Sequence, residues 1–258
     1  MSGPQREDPA VVLLCGGLGL RQRTAEDDVP KPLRTLPDGR PLLLHVLDYY
    51  RAFGLARFYF CVGYGAAAVE DLVVAQTQAW HTHSPDPRTR RYASADLELT
   101  FVDSGPYAEK SQRLLDCRPH LAEQDFLLGY ADVLSDFDLN ELVRSHPASA
   151  VATVVGTRVR SRFGEFTVGA GGRVESFAEK PMSKSLISAG YFMCSPSVFA
   201  HLTGRRDFEN EVVPALVRLG KVYAVVHDGL WLPLDTYKDF VDLEHLMTWK
   251  GSPWLTPV

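Results

Sequence analysis

The chain has no apolar run approaching the roughly 20 residues that a helix needs to span a bilayer. Its opening segment, Met1 to Pro9, is polar and lacks the hydrophobic core of a signal peptide. Both absences lead to the expectation of a cytoplasmic protein with no membrane partner. Cysteine is scarce: four residues, Cys15, Cys61, Cys117 and Cys194, lie far apart, with no Cys-x-x-Cys and no Cys/His pair at metal-ligand spacing. They read as reduced core thiols, not as a disulfide framework. Positive charge is not in excess either. With 27 Lys and Arg against 32 Asp and Glu, the net charge is −5, which removes the broad basic surface that sequence-independent nucleic-acid binding requires. His45, His146 and His227 have no partner pattern of a nucleophilic triad. Internal repeats, low-complexity tracts and flexible linkers are absent.

At 258 residues and 45% hydrophobic, the chain can bury the core of one large α/β domain. Its most informative stretch is Val11-Val12-Leu13-Leu14-Cys15-Gly16-Gly17-Leu18-Gly19-Leu20-Arg21, followed by Pro30-Lys31-Pro32-Leu33. A short apolar run suits a strand buried on both faces. Gly16, Gly17 and Gly19 lack the Cβ atoms that would hold a polyphosphate away from backbone N–H donors, and Arg21 and Lys31 supply charge to neutralise it. Two better-known glycine motifs fail here. A dinucleotide fingerprint starting at Gly17 meets Gln22 where its third glycine belongs, and no Gly-Lys-Ser/Thr completes a P-loop. The prolines around Lys31 restrict its backbone, which would hold its ammonium towards the loop.

Hydrophobic periodicity predicts a helix over Leu42 to Phe53, a buried strand over Phe58 to Gly63 and a helix over Ala66 to Trp80. His81 to Ala95 reads as an exposed polar connector, and Leu97 to Asp103 as a strand. A helix over Arg113 to Gln124, a strand over Phe126 to Tyr130, a helix over Leu139 to Ser145 and a strand over Ala150 to Gly156 continue the alternation. The pattern predicts an α/β fold with a doubly wound, mostly parallel sheet. From Phe163 the segments become short and glycine-separated, which predicts a small β-hairpin insertion added to the sheet. The chain is read as a single domain in two halves, 10–160 and 161–258.

Asp132 directly follows the strand that ends at Tyr130, and ligands of doubly wound folds sit beyond such strand ends. A second carboxylate from another segment is expected for a Mg²⁺ ion that bridges phosphate oxygens, and Asp235 ends the short apolar segment Leu230 to Leu234. Either aspartate alone also reads as a helix N-cap. Asp136, Asp138, Asp228 and Asp239 read as caps or surface charges. Glu179-Lys180-Pro181 closes the glycine-rich hairpin; it reads either as a solvated turn or as a second phosphate-binding cation.

Taken together, Gly16 to Arg21, Pro30 to Leu33, the strand ending at Asp132, Phe163-Gly164, Glu179-Lys180-Pro181 and Asp235-Thr236 resemble the sugar-1-phosphate nucleotidyltransferases across nearly the whole chain. Val102 to Gly105, Gly129-Tyr130 with Ser135-Asp136, Arg162-Phe163-Gly164 and His227 to Trp231 make the resemblance greatest to the glucose-1-phosphate cytidylyltransferases. The resemblance implies an enzyme that uses Mg²⁺ to join a nucleoside triphosphate, with CTP favoured, to a sugar 1-phosphate, with glucose 1-phosphate favoured. The products would be an NDP-sugar and pyrophosphate. Carried over by position, Arg21 would steady the leaving pyrophosphate and Lys31 the transferred phosphate, while Asp132 and Asp235 would hold the metal. Leu14, Gly16, Gly17, Gly19, Lys110, Gln112, Arg113 and Tyr130 would meet the nucleotide and Glu179, Lys180, Ser188 and Gly190 the sugar phosphate, which would make 10–160 the nucleotide-binding half and 161–258 the sugar-phosphate-binding half.

The departures bear on specificity. Leu20 replaces the usual Thr, Ala131-Asp132-Val133 stands in place of Gly-Asp-Gly, and Glu109 to Arg113 occupies the place of a Thr-Gly-Gly-Arg segment near the base. Ile187 to Tyr191 replaces an Asn-Gly-Gly arrangement near the sugar, with Ser188 in place of asparagine. GTP, UTP or ATP with a cyclitol or other phosphate acceptor is therefore an alternative, and a catalytically silent nucleotide or sugar-phosphate sensor is another. A homo-oligomer is also open: Trp249 to Trp254 could join a subunit contact or fold onto its own core.

Overall fold

The computed structural model describes residues 8–17, 29–121 and 123–255. Gly19 and Arg21 lie outside these residues. The chain starts with β1 (Ala10–Leu14), α1 (Leu42–Ala52), β2 (Arg57–Val62) and α2 (Ala66–Thr77). It continues through β3 (Trp80–Thr82), β4 (Thr89–Ala93), β5 (Glu98–Asp103), α3 (Lys110–Cys117), β6 (Phe126–Tyr130) and β7 (Val133–Ser135). Next come α4 (Leu139–Arg144), β8 (Ala152–Thr157), β9 (Glu165–Val168), β10 (Val174–Ala178) and β11 (Ile187–Cys194). The chain then forms α5 (Val213–Arg218), β12 (Val222–His227), β13 (Trp231–Pro233) and α6 (Tyr237–Lys250).

Nine strands form one sheet in the order β12-β8-β11-β6-β1-β2-β5-β4-β3. Its centre, β6-β1-β2-β5, is parallel, as the βα alternation predicts, and β12 runs parallel to β8. β11 inserts antiparallel between β6 and β8, so the sheet crosses from one half of the chain to the other without a break. Alternate side chains of β1 supply two cores. Val11 and Leu13 join α1 on one face, and Val12 joins Cys61, Leu114 and Phe126 on the other, as the period-2 geometry of a strand requires. Phe60 and Phe101 are register partners on β2 and β5, with ring centroids 4.7 Å apart and planes 12° from parallel.

Three expectations change. The polar segment at 81–95 is not a simple connector: β3 and β4 extend the sheet antiparallel to β5. Polar side chains of this segment find partners on neighbouring elements, with Arg90 and Tyr92 both on the buried Glu70 of α2, so strand pairing is compatible with a sequence that lacks apolar alternation. The helix predicted from Arg113 starts earlier, at Lys110, and turns into a 3₁₀ segment at Arg118, where Pro119 follows. The hairpin β9–β10 forms a two-stranded sheet of its own instead of joining the main one. Phe166 pairs with Phe177, yet both are exposed, at 59% and 67%.

At the C-terminus, Trp254 is buried edge-on against His45, so this part of the Trp249 to Trp254 stretch belongs to the chain's own core, whereas Trp249 is exposed. Among the described residues, no helix is long and apolar enough to cross a membrane.

Candidate active site

The site forms where β1, β6 and the ribbon β7–β13 meet. β7 and β13 pair antiparallel, with Val133 opposite Pro233 and Ser135 opposite Trp231. The Leu234 N–H then donates to the Asp132 carbonyl at 3.0 Å, which closes the ribbon immediately before Asp235. Two aspartates 103 positions apart are thereby set side by side. Asp235 is not the cap of α6. Thr236 is the N-cap, in a capping box with Asp239, whose carboxylate accepts the Asp235 and Thr236 N–H groups at 2.9 and 2.6 Å. Asp138 caps α4. Asp132 and Asp235 are thus free of capping duty.

Lys31 lies between them. Pro30 and Pro32 frame a single 3₁₀ turn, closed by the Leu33 N–H on the Pro30 carbonyl at 2.8 Å. The Pro30 ring packs where any side chain at Gly65 would sit, which anchors the turn to the loop after β2. The Lys31 ammonium donates to Asp132 Oδ2 at 2.6 Å and to Asp235 Oδ1 at 2.7 Å, with its side chain only 12% exposed. Two hard carboxylate oxygens converging on one cationic centre are the donor type that Mg²⁺ takes. Among the described residues no cluster of three or more His, Cys, Asp or Glu side chains could hold a metal, so the remaining ligands for such an ion would come from water and phosphate oxygens.

The glycine turn divides its tasks. The Cys15 N–H bonds the Cys61 carbonyl at 3.0 Å and carries β1 pairing one residue past Leu14, whose neighbours are Cys61 and Tyr130. Gly17 is exposed with open space around it, as phosphate access requires. Gly16 is glycine for another reason: a Cβ there would overlap the guanidinium of Arg113. Arg113 itself is 3% exposed and donates to the carbonyls of Val62, Gly16 and Gly105 at 2.6, 2.8 and 3.0 Å. Arg113, which the resemblance sets against the nucleotide, is thus buried beneath the loop with three of its five N–H groups on backbone carbonyls.

The rest of the expected nucleotide set splits. Lys110 lies 4.7 Å above the Tyr130 ring and donates to Glu209 at 2.6 Å. Tyr130 packs on Gly190, whose φ of +84° and missing Cβ leave room for the ring. Gln112 turns away, bonding Asp116 at 2.8 Å and packing on Gly204. Glu209 was not evident from the sequence because it lies 99 residues from Lys110, in a single wide turn with no local pattern of its own.

On the sugar side, Ser188 is exposed and accepts the Gly190 N–H at 3.3 Å. Glu179 and Lys180 sit on the hairpin, more than 60% exposed, 3.8 Å apart and joined to no part of the Lys31 cluster. Lys180 adopts a left-handed φ of +46°.

An ammonium and two carboxylates gathered at the ends of parallel strands suit a phosphate-bearing ligand, the kind that doubly wound folds bind there. The chain belongs to the nucleotidyl transferase family, whose model matches residues 10–248, and is a transferase enzyme. It is 30% identical over 250 residues to the probable glucose-1-phosphate cytidylyltransferase of Bacillus subtilis (strain 168), covering 94% of this chain and 98% of that one. It is 29% identical over 254 residues to the glucose-1-phosphate cytidylyltransferase of Salmonella typhimurium, covering 95% and 98%. The crystal structure of HddC from Yersinia pseudotuberculosis shares the fold, with a TM-score of 0.70 at 18% identity over 93% of this chain and 100% of that one.

Proposed function

We propose that the protein transfers a cytidylyl group from CTP to glucose 1-phosphate, using Mg²⁺ and releasing pyrophosphate. The observation that carries the reading is the Lys31 ammonium held by Asp132 and Asp235 at 2.6 and 2.7 Å. The choice of CTP and glucose 1-phosphate is supported by the two similar cytidylyltransferases.

In this reading a phosphate oxygen of the acceptor attacks the α-phosphorus of the nucleotide, and the bond to the bridging oxygen of the β-phosphate breaks. The chain forms no covalent intermediate; it positions the phosphates and neutralises their charge. Lys31 lies on a rigid turn and exchanges one of its carboxylates for a phosphate oxygen. Asp132 and Asp235 would hold Mg²⁺, which when bound supplies charge neutralisation and aligns phosphate oxygens. Gly17 offers its backbone N–H, Tyr130 a ring face, and Lys110 a cation at the same strand end. Lys180 would meet the acceptor phosphate from the hairpin, and Arg21 the leaving group.

The test is pyrophosphate release with Mg²⁺ and each of CTP, UTP, GTP, ATP and dTTP, against hexose and cyclitol 1-phosphates. Release with CTP and glucose 1-phosphate is expected. Release only with another pair reassigns the specificity, and nucleotide binding without any release overturns the reading in favour of a sensor.

A further inference from the structure

Arg113 is a buried guanidinium that holds the glycine turn at the Gly16 carbonyl. It projects from the first turn of α3 into the space under the C-terminal ends of β1, β2 and β5, three adjacent strands of the parallel sheet. Its three carbonyl acceptors, on Gly16, Val62 and Gly105, belong to the segments that leave those three strands. Among the described residues no carboxylate forms an ion pair with it, so its direct partners are backbone carbonyls, with Asp103 and Asp116 favouring the charge from further off. Burial lowers its pKa from the usual arginine value, although a guanidinium remains charged at any physiological pH. Two glycines make the arrangement possible, because a Cβ at Gly16 or Gly63 would run into the guanidinium.

The peptide geometry gives this bond a direction. Among the described residues no peptide bond is cis, and in a trans peptide the C=O and the following N–H point to opposite sides. Drawing the Gly16 carbonyl inward onto Arg113 therefore turns the Gly17 N–H outward, to the exposed side where Gly17 has open space. A backbone N–H aimed outward over a buried positive charge is a donor for phosphate oxygen.

We infer that Arg113 is a positioning residue for the triphosphate: it fixes the Gly16–Gly17 peptide so that the Gly17 N–H faces the phosphates, and never touches the nucleotide itself. The inference rests on the proposed function in taking the ligand to be a nucleoside triphosphate. It moves Arg113 from the nucleotide's surface to the underside of the loop, and it explains Gly16 through arginine instead of through phosphate.

The experiment compares the unaltered protein with Arg113→Met, Arg113→Lys, Gly16→Ala and the Gly16→Ala/Arg113→Lys double variant. Binding of inorganic tripolyphosphate is measured by calorimetry, and the two Michaelis constants by pyrophosphate release. Arg113→Met is expected to weaken tripolyphosphate binding and raise the nucleotide KM by about tenfold or more, as expected for loss of a charge-assisted hydrogen bond, with the acceptor KM unchanged. Arg113→Lys should recover part of the loss. Gly16→Ala should match Arg113→Lys, and the double variant should be little worse than either single one, because both changes displace the same group. Where Arg113→Met does not fold, the Lys and Gly16 variants carry the test. Tripolyphosphate binding that survives in every variant, or equal shifts in both KM values, overturns the inference. Failure of the unaltered protein to bind tripolyphosphate overturns the proposed function itself.

Discussion

The Lys31 cluster and the β9–β10 hairpin are built in opposite ways. Lys31 is bound by carboxylates 101 and 204 positions away, its side chain is 12% exposed, and its turn is pinned by Pro30 packing over Gly65. Among the described residues Lys180 is paired only with its neighbour Glu179, at 3.8 Å, and is 63% exposed. The first group is arranged by the fold before any ligand arrives. The second stands on a hairpin whose apolar side chains, Phe166, Val168, Val174 and Phe177, are all more than half exposed. Two-stranded hairpins are marginal alone, so order around Lys180 depends on what the hairpin meets. Preorganised charge favours catalysis, because no reorganisation is needed during reaction. In this molecule that advantage lies with the Lys31 cluster.

Breaking the comparison at its strongest point means cutting the core that carries the first region. Phe60→Ala removes a ring stacked on both Phe58 and Phe101, at centroid distances of 6.2 and 4.7 Å, and is expected to cost about 3–5 kcal/mol in urea unfolding. Asp132→Asn should raise the Mg²⁺ concentration for half-maximal turnover by about tenfold or more, read from a metal titration at saturating substrates. Lys180→Ala should raise the acceptor KM by roughly tenfold and leave the nucleotide KM in place, since one charged hydrogen bond is lost. Phe177→Ala, on the exposed hairpin, should change stability by no more than about 0.5 kcal/mol. A stability loss at Phe177 as large as at Phe60 would show that the hairpin is packed, and the contrast between the two regions would fail.

Local patterns carried the reading where one segment decides the outcome. β6 occupies the stretch from Phe126 to Tyr130 predicted from its apolar run, α1 follows its helical spacing, and Asp132 was singled out because it follows a strand end. The features that escaped depend on partners distant in sequence. Nothing near Arg113 signals that its guanidinium turns inward onto three carbonyls, and nothing near Glu209 signals Lys110. The strands at 80–82 and 89–93 are held by backbone pairing and by Glu70, so apolar alternation was silent there. The glycine motif was located by its residue types, yet only the space around each glycine separated the role of Gly16 from that of Gly17.

The most direct test of the central claim, that the cluster of Lys31, Asp132 and Asp235 is the catalytic centre, is turnover by Lys31→Ala at saturating CTP, glucose 1-phosphate and Mg²⁺, with unfolding measured alongside. Folding is expected to be unchanged and kcat to fall on the order of 10²–10³-fold, the usual consequence of removing one preorganised charge-stabilising donor. Full turnover by a folded Lys31→Ala protein would contradict that claim.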